Sequence, residues 1–287
     1  MSTCTTISWN NELIKKEPEK FVFGIAADEE VVFDLSSNSH ILIHGSTMSG
    51  KSILASCLAW QGIKKGVRLY MADLKGVEFG SYKEYGEVLT DKGRVAAALA
   101  QLHEETELRI ELFKKYGVES LEEFNNKYPQ NQLSRIMFVC DEMLELKDNE
   151  ENNAKIKEYI DSIALLTTSR RINPGIHLVL ISMRSDNKVI SEQLRACVSI
   201  KISGRMYNPY DSELAIGNTK AAELNHTGQF VYVTESETKE FQGFNFDVSC
   251  MDPGKYQRGL MLTGLVVDPE NDYIPISEVL TNKFKED

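Results

Sequence analysis

The feature that most constrains the fold of this chain is the run Gly-Ser-Thr-Met-Ser-Gly-Lys-Ser at residues 45–52. The run satisfies the pattern G-x-x-x-x-G-K-[ST], in which glycines let the backbone curl so that successive amide N–H groups point at a phosphate. An apolar run at residues 40–44 precedes it, and apolar residues at helical spacing follow it. Strand, loop and helix in this order predict a P-loop that binds a nucleotide.

The loop residues have distinct predicted roles. Lys51 is predicted to contact the β- and γ-phosphates, and the Ser52 hydroxyl to bind Mg²⁺. The positive end of the helix that follows adds to the attraction for phosphate. The candidate nucleotide-binding residues are Gly45, Ser46, Thr47, Met48, Ser49, Gly50, Lys51, Ser52 and Ile53.

A second informative run, residues 135–142, is apolar until it ends in Asp141 and Glu142. A continuous apolar run indicates a strand buried in a parallel sheet, and ligands of open α/β sheets bind at the carboxyl ends of such strands. Asp141 is predicted to bind Mg²⁺ together with Ser52; the alternative is that it only caps the next helix. Glu142 is placed to polarise an attacking water, and general bases of this kind contribute roughly 10²–10⁴-fold.

Composition restricts the class of protein. The 43 acidic and 32 basic residues give a net charge of −11, which argues against a surface uniformly attracted to nucleic acid but not against a ring with a locally basic pore. Five scattered cysteines show no metal-ligand spacing and indicate a reducing compartment. Because the sequence has neither an 18-residue apolar run nor a signal pattern, we expect a cytoplasmic location without a transmembrane segment.

Apolar runs that read as strands alternate with helical patterns along most of the chain. A long helix is predicted from Asp91 to Tyr116, with Gly117 as its C-cap, and another around residues 153–169. Such alternation predicts an α/β fold whose central sheet is mainly parallel, with helices on both faces. Beyond about residue 250 the pattern weakens.

Several short motifs occur in a fixed order after the P-loop. They are Asp73-x-Lys75-x-x-Glu78, the long helix ending at Gly117, Asp141-Glu142, Gly175-Ile-His-Leu and Gly228-Gln-Phe. In this order they resemble the motor domain of the FtsK/SpoIIIE family of DNA translocases, over roughly residues 21–235. The resemblance implies a RecA-like P-loop NTPase fold and divides the chain into a lead-in (1–20), a motor domain (21–250) and a C-terminal extension (251–287).

The resemblance also implies a function. Members of the family form hexameric rings that hydrolyse ATP to move double-stranded DNA. The chain resembles the compact motors of conjugative plasmids and integrative elements more than the longer members of the family, and it could equally be a motor excised from a longer protein. The first reading would give it relaxase or transfer-machinery partners and a position at the inner face of the membrane through them. Two alternatives stay open: a motor that drives protein substrates, as in type VII-like secretion, and a nucleotide-binding scaffold with little turnover.

By resemblance, Glu142 and Lys51 are catalytic, and a cationic side chain from a neighbouring subunit completes the site. Arg170 and Arg171 precede Gly175 where the family carries such an arginine, although they could instead form a solvated basic turn. Arg184, next to Met183, is a separate catalytic candidate. The roles of Asp73, Lys75 and Glu78 are open between a structural ion network and a link from nucleotide to the ring interface.

Two positions depart from the family pattern. Met48 stands where the family usually has glycine, so its side chain must face away from phosphate or the loop is reshaped. Met183 replaces a glutamine that is thought to sense the γ-phosphate, and a thioether cannot hydrogen-bond in that way. We therefore expect nucleotide binding to survive both changes and fast hydrolysis to be less assured.

Overall fold

The computed structural model describes residues 6–37, 40–148, 150–169, 171–252, 254, 256, 261 and 262. Its strands are β1 (Ile7–Ser8), β2 (Lys20–Ala26), β3 (Glu29–Asp34), β4 (Ile41–His44), β5 (Arg68–Ala72), β6 (Glu87–Leu89), β7 (Ile136–Cys140), β8 (Ile176–Ser182), β9 (Ile200–Gly204), β10 (Gln229–Val233) and β11 (Thr238–Asn245). Its helices are α1 (Lys51–Lys64), α2 (Lys92–Tyr116), α3 (Leu121–Lys127), α4 (Glu151–Ser169), α5 (Glu192–Cys197) and α6 (Pro209–Ile216).

The described strands form one sheet in the order β3-β2-β11-β10-β9-β4-β8-β7-β5-β6, with β1 paired to β11. The six strands from β9 to β6 run parallel. The other side of the sheet, from β9 through β10, β11 and β2 to β3, is antiparallel. The RecA-like α/β fold is thus confirmed, and its parallel part is the one that carries the P-loop, which follows β4.

Both faces of the parallel strands are covered, because side chains alternate between them. On β7, Met137 and Val139 pack in the same cluster as α1, whereas Phe138 and Cys140 pack in the cluster that contains α2, α4 and α5. Continuous apolar strands are buried on both sides for this reason. The prediction of helices on both faces is confirmed.

Helix α2 matches its predicted span. The side chain of Asp91 accepts a hydrogen bond from the Arg94 N–H at the N-cap, and Gly117 ends the helix with a left-handed φ of 65°. Such a C-cap suits glycine because it has no Cβ to clash. Among the described helices, none is both long and apolar enough to cross a membrane.

Strands β1, β6 and β11 were not predicted, and β1 has only two residues. β6 has only three residues, and β11 reads Thr-Lys-Glu-Phe-Gln-Gly-Phe-Asn, where two charges and a glycine hide the alternation expected of a strand. β11 also receives β1, and Trp9 next to β1 is buried on the same sheet. The division of the chain at residues 20 and 250 stays a prediction.

Candidate functional site

The P-loop backbone needs glycine at the end of β4. Gly45 has a φ of 145°, and a Cβ at this position would lie 2.5 Å from the Ser49 hydroxyl. The Ser46 N–H and hydroxyl both donate to the Arg205 carbonyl, at 2.9 and 2.6 Å, so the loop is tied to the end of β9. The local fold follows from the sequence pattern, because an L side chain at residue 45 would be strained.

Met48 adopts the left-handed conformation, with a φ of 61°, where the family usually has glycine. Its side chain is 80% exposed, so it is not packed inside the loop, and Met48 also lines the cleft that contains Lys51 and Asp141. A non-glycine residue in this region costs roughly 1–2 kcal/mol. The Met48 carbonyl accepts a hydrogen bond from the Thr227 hydroxyl at 3.0 Å.

Lys51 is almost fully buried inside the loop. Its Nζ donates to the Ser46 carbonyl at 3.0 Å. Burial lowers the pKa of Lys51, while the negative charges of Glu142 and Asp141 act in the opposite direction. An ammonium held by one loop carbonyl and attracted by two nearby carboxylates can exchange that carbonyl for a phosphate oxygen.

Ser52 and Asp141 lie side by side although 89 residues separate them. The Ser52 hydroxyl donates to Asp141 Oδ1 at 3.3 Å. Burial raises the pKa of Asp141 to about 6, and the Glu78 carboxylate pushes it in the same direction, while Lys75 and the Ser52 hydroxyl oppose the rise. A cation that binds beside Asp141 would therefore stabilise the ionised form of this carboxylate.

Glu142, rather than Asp141, caps the 3₁₀ turn that follows β7. Its Oε1 accepts hydrogen bonds from the N–H groups of Leu144, at 3.2 Å, and Met183, at 3.1 Å. The alternative in which Asp141 serves only as a cap is therefore not what the structure shows. Glu142 has one oxygen fixed by the end of β8 and is 5% exposed beside Asp141.

Asp73 organises the loop that carries Lys75 and Glu78. Its two carboxylate oxygens accept four backbone N–H groups, from residues 76 to 79, at 2.9–3.2 Å. Lys75 and Glu78 line the same cleft as Asp141, and Lys75 also lies 3.9 Å from Glu145. Asp73 is thus an anchor made of backbone hydrogen bonds, and the two residues it positions face the site.

These groups surround a cleft of about 430 Å³ at the carboxyl edge of the parallel strands, which we call the phosphate cleft. Its lining includes Lys51, Ser52, Glu78, Asp141, Glu142 and Met183. Thr47 approaches the Met183 sulfur at 3.9 Å. Most of the predicted site residues are therefore brought together in one cleft.

The candidate arginines are not among them. Arg171, exposed and with a φ of 52°, precedes β8 and lies at the amino edge of the parallel strands, beside Ser36 and Glu119. Arg184 is exposed and does not line the phosphate cleft. Arg170 lies outside the described residues.

Residues 227 and 228 belong to the site but were not predicted as binding residues. The Thr227 hydroxyl bonds to the P-loop at Met48, and the Gly228 N–H donates to the Ser49 carbonyl at 3.0 Å. Thr227 also lines the phosphate cleft. These contacts join positions about 179 apart in sequence, so no local pattern could have indicated them.

The oxygen ligands of the cleft fit a magnesium ion that accompanies a nucleotide. Within the described ranges, no group of three or more His, Cys, Asp and Glu side chains could hold a metal alone. Magnesium needs only one or two carboxylates when substrate phosphates supply the other oxygens. The hydroxyl of Ser52 and the carboxylate of Asp141 are of the required type.

Comparison with known proteins gives matches across most of the chain. The sequence model of the FtsK/SpoIIIE family matches residues 14–167, more than half of the chain. The DNA translocase FtsK of Caldanaerobacter subterraneus subsp. tengcongensis is 30% identical over 210 residues, covering 70% of this chain and 29% of that protein. FtsK of Streptococcus pneumoniae is 30% identical over 230 residues, covering 74% of this chain and 29% of that protein. The chain thus spans about 29% of the length of these curated relatives.

Among solved structures, the pCW3 conjugation coupling protein TcpA, in a monomer form with ATPγS, is 33% identical with a TM-score of 0.80. The match covers 85% of this chain and 71% of that one. The cytoplasmic domain of the Thermomonospora curvata type VII secretion ATPase EccC is 17% identical, with a TM-score of 0.63, over 88% of this chain and 30% of that one. At that identity the likeness concerns the fold alone.

Proposed function

Because this chain belongs to the FtsK/SpoIIIE family, we propose that it is an ATP-driven motor that moves double-stranded DNA. The observation that carries this proposal is the 3.3 Å contact between Ser52 of the P-loop and Asp141 at the end of β7, next to Glu142. A binding site for phosphate alone does not need this pair. A site that hydrolyses a nucleoside triphosphate does, because it must hold a metal beside the group that activates water.

In this proposal, the P-loop amides and Lys51 hold the triphosphate, and Lys51 leaves the Ser46 carbonyl to do so. Ser52 and Asp141 would hold Mg²⁺, which would supply positive charge beside the phosphate oxygens. Glu142 accepts a proton from the attacking water, with its carboxylate oriented by the amides of Leu144 and Met183. Asp73 positions the loop that carries Lys75 and Glu78, and these two side chains contribute to the net charge of the phosphate cleft.

An arginine from a neighbouring subunit completes the site. Arg171 lies at the opposite edge of the sheet from the phosphate cleft of its own chain, so any contact it makes with phosphate must be with a neighbour's site. Arg170 is the other candidate for this role, and Arg184 is a separate catalytic candidate. We propose a homo-oligomeric ring, with six subunits as in the family, in which such a residue stabilises the charge of the transferred phosphoryl group.

The setting that we propose is conjugation. The relative with 33% identity is a conjugation coupling protein, and its likeness covers most of both chains. A coupling role would place this chain in the cytoplasm, at the inner face of the membrane through its partners. Those partners would be a relaxase or other proteins of the transfer machinery.

The experiment is phosphate release from ATP, measured without nucleic acid and with duplex DNA, single-stranded DNA or a secretion-signal peptide. We expect duplex DNA to stimulate turnover severalfold and Glu142→Gln to remove turnover while ATP still binds. Stimulation by the peptide but not by DNA would contradict the DNA motor. It would favour a motor for protein substrates, which the net charge of −11 supports.

A third function, a nucleotide-binding scaffold, is favoured by one observation. Met183 presents a thioether to the phosphate cleft where the family has a glutamine. Tight ATP binding with slow turnover that Glu142→Gln does not change would support the scaffold and contradict the motor.

A further inference from the structure

We propose that Leu262, in the C-terminal extension, positions Arg171 for a neighbouring subunit's site through the buried ion pair of Glu105 and Arg109. This inference rests on the proposed function, because it concerns the arginine that would complete that site. It gives the C-terminal extension a role in controlling turnover. We call residues 171–175 the arginine loop, and the described residues of the extension (251, 252, 254, 256, 261 and 262) the strap.

One end of the strap is attached to α1, the helix that begins at the P-loop. Lys64, in the last turn of α1, donates from Nζ to both carboxylate oxygens of Asp252, at 2.8 and 3.1 Å. The centre of the Tyr256 ring lies 5.9 Å from that of Trp60 and 5.2 Å from Lys64 Nζ. The strap is therefore held by charged and aromatic side chains at the end of α1.

The other end of the strap is buried against α2. Met261 and Leu262 are 8% and 5% exposed. The Tyr70 hydroxyl donates to the Met261 sulfur at 3.6 Å, and the Leu262 N–H donates to Glu105 Oε1 at 3.0 Å. A hydrogen bond to a carboxylate is roughly twice as strong as one between neutral groups. Leu262 is thus fixed to the middle of α2 by its backbone.

The ion pair continues the connection to the arginine loop. The same oxygen of Glu105 that accepts the Leu262 N–H also accepts from Arg109 Nε at 2.7 Å. Arg109 Nη1 in turn donates to the carbonyl of Pro174, within the arginine loop, at 2.9 Å. Three consecutive hydrogen bonds therefore link the strap to this loop.

Apolar packing supports the same connection. Leu262 and Ile172, the residue after Arg171, belong to one buried cluster that also contains Leu121. A Cβ on Gly175 would lie 2.3 Å from Leu121 Cδ2, so the arginine loop packs directly on this cluster. The strap thus completes the cluster on which the arginine loop rests.

The backbone of the arginine loop needs such support. Arg171 has a φ of 52°, and strained conformations of this kind persist only where the surroundings fix them. The Asn173 side chain donates to the carbonyls of residues 35 and 36, at 2.9 and 2.6 Å, and accepts the Gly175 N–H at 2.9 Å. Arg109 supplies the support at Pro174. Displacement of the strap would weaken that support and let Arg171 move.

Hydrogen–deuterium exchange tests the connection within one chain. Leu262→Pro removes the N–H that Glu105 accepts, whereas the control Leu262→Ile keeps the N–H and the side-chain volume. We expect the amides of residues 171–175 to exchange several-fold faster in the proline variant than in the control, with no change in strand Ile200–Gly204. Equal rates in the arginine loop, or an equal rise in both regions, would overturn the inference.

A second variant serves if the proline variant does not fold. Met261→Ala keeps the Leu262 N–H but removes the buried side chain that holds this part of the strap beside α2. We expect a smaller rise in exchange, again confined to the arginine loop. No rise in a folded Met261→Ala protein would overturn the inference.

Mixed subunits test whether the effect reaches a neighbour's site. Alone, Leu262→Pro should turn over ATP several-fold more slowly than Leu262→Ile, with equal ATP affinity, because small displacements of a positioned group are costly to catalysis. Glu142→Gln subunits cannot activate water but should present Arg171 normally. We therefore expect the deficit of the proline variant to shrink when each protein is mixed with an equal amount of Glu142→Gln. An unchanged deficit would overturn the inference.

The two proposals fail separately. If the wild type does not turn over ATP with duplex DNA, single-stranded DNA or peptide, the proposed function fails. If the wild type turns over ATP and Glu142→Gln does not, but Leu262→Pro leaves exchange in the arginine loop unchanged, only the role of the strap is wrong.

Discussion

The two edges of the parallel sheet bury charged groups in opposite ways. At the amino edge, Arg109 and Glu105 are fully buried and form a 2.7 Å ion pair, and Arg109 also donates to the Ser134 and Pro174 carbonyls at 2.8 and 2.9 Å. At the carboxyl edge, Lys51 has a single hydrogen bond to a carbonyl and a lowered pKa, and Asp141 has a raised one.

This difference in hydrogen-bond partners distinguishes buried charges that stabilise the fold from buried charges that belong to the functional site. Buried charges with several good partners stabilise the position of the loops that precede β7 and β8. Buried charges with few partners are stabilised when a ligand of opposite charge binds, and such groups are common at active sites. Changes at the carboxyl edge should therefore alter activity more than stability, and changes at the amino edge should do the reverse.

The largest expected effect is that of Glu142→Gln. The amide keeps the shape of the side chain but cannot take a proton from water, so ATP turnover should fall roughly 10²–10⁴-fold. Nucleotide affinity and the melting temperature should stay close to the wild type. Steady-state phosphate release measures turnover, and equilibrium ATP binding measures affinity. Equal losses of turnover and affinity would contradict a role for Glu142 in catalysis alone.

At the amino edge, Arg109→Leu should act on stability. It leaves Glu105 buried without its ion partner, and removing one member of a buried pair costs about 3–5 kcal/mol of unfolding free energy. Urea denaturation measures this loss, and ATP binding per folded molecule should not change. The control Lys155→Ala removes an exposed ion pair with Glu151 and should have little measurable effect.

Asp141 should make the carboxyl edge sensitive to pH. Because its folded-state pKa, about 6, lies above the ordinary value of 3.8, the folded protein holds this proton more tightly than the unfolded chain. The protonated carboxyl therefore stabilises the fold below pH 4, and this contribution, at most about 3 kcal/mol, is lost as pH rises through 6.

Asp141→Asn should remove that dependence. Comparison of urea denaturation at pH 4.5 and 7.5, without Mg²⁺ or nucleotide, should show a smaller fall in stability for the variant than for the wild type. The variant should also lose ATP turnover at pH 7.5. An identical pH dependence in both proteins would mean that Asp141 is not the titrating group.

The smallest expected effect is a gain from Met183→Gln. The new amide would face the phosphate cleft near Thr47 and could hydrogen-bond a phosphate oxygen or water, as the family's glutamine is thought to do. One hydrogen bond of about 0.5–1.5 kcal/mol corresponds to a roughly 2- to 13-fold rise in turnover. Met183→Leu serves as the matched apolar control, and a rise in that variant too would exclude a hydrogen-bonding cause.

The sequence predicted the parts of this molecule that depend on local pattern. The P-loop, the buried strands β4, β7 and β8, and helix α2 with its Gly117 cap all follow from glycine positions and apolar periodicity. The order of parallel strands then brings the ends of β4 and β7 to the same edge, so the proximity of Ser52 and Asp141 could be expected.

The parts that depend on tertiary contact could not be predicted. Thr227 and Gly228 support the P-loop from 179 residues away, and the Met183 amide fixes Glu142 through its backbone, which leaves no trace in residue type. β11 was missed because its charges and glycine hide its alternation. The placement of Arg171 at the far edge required the strand order of the whole sheet.

In the proposed mechanism, Ser52 and Asp141 hold a metal beside a triphosphate in the loop of residues 45–52. The most direct test is a crystal structure with a non-hydrolysable ATP analogue and Mn²⁺, whose anomalous scattering locates the metal. We expect one metal peak in contact with the Ser52 hydroxyl and bound, directly or through water, by the Asp141 carboxylate. A triphosphate outside the loop, or a metal peak remote from both residues, would contradict it.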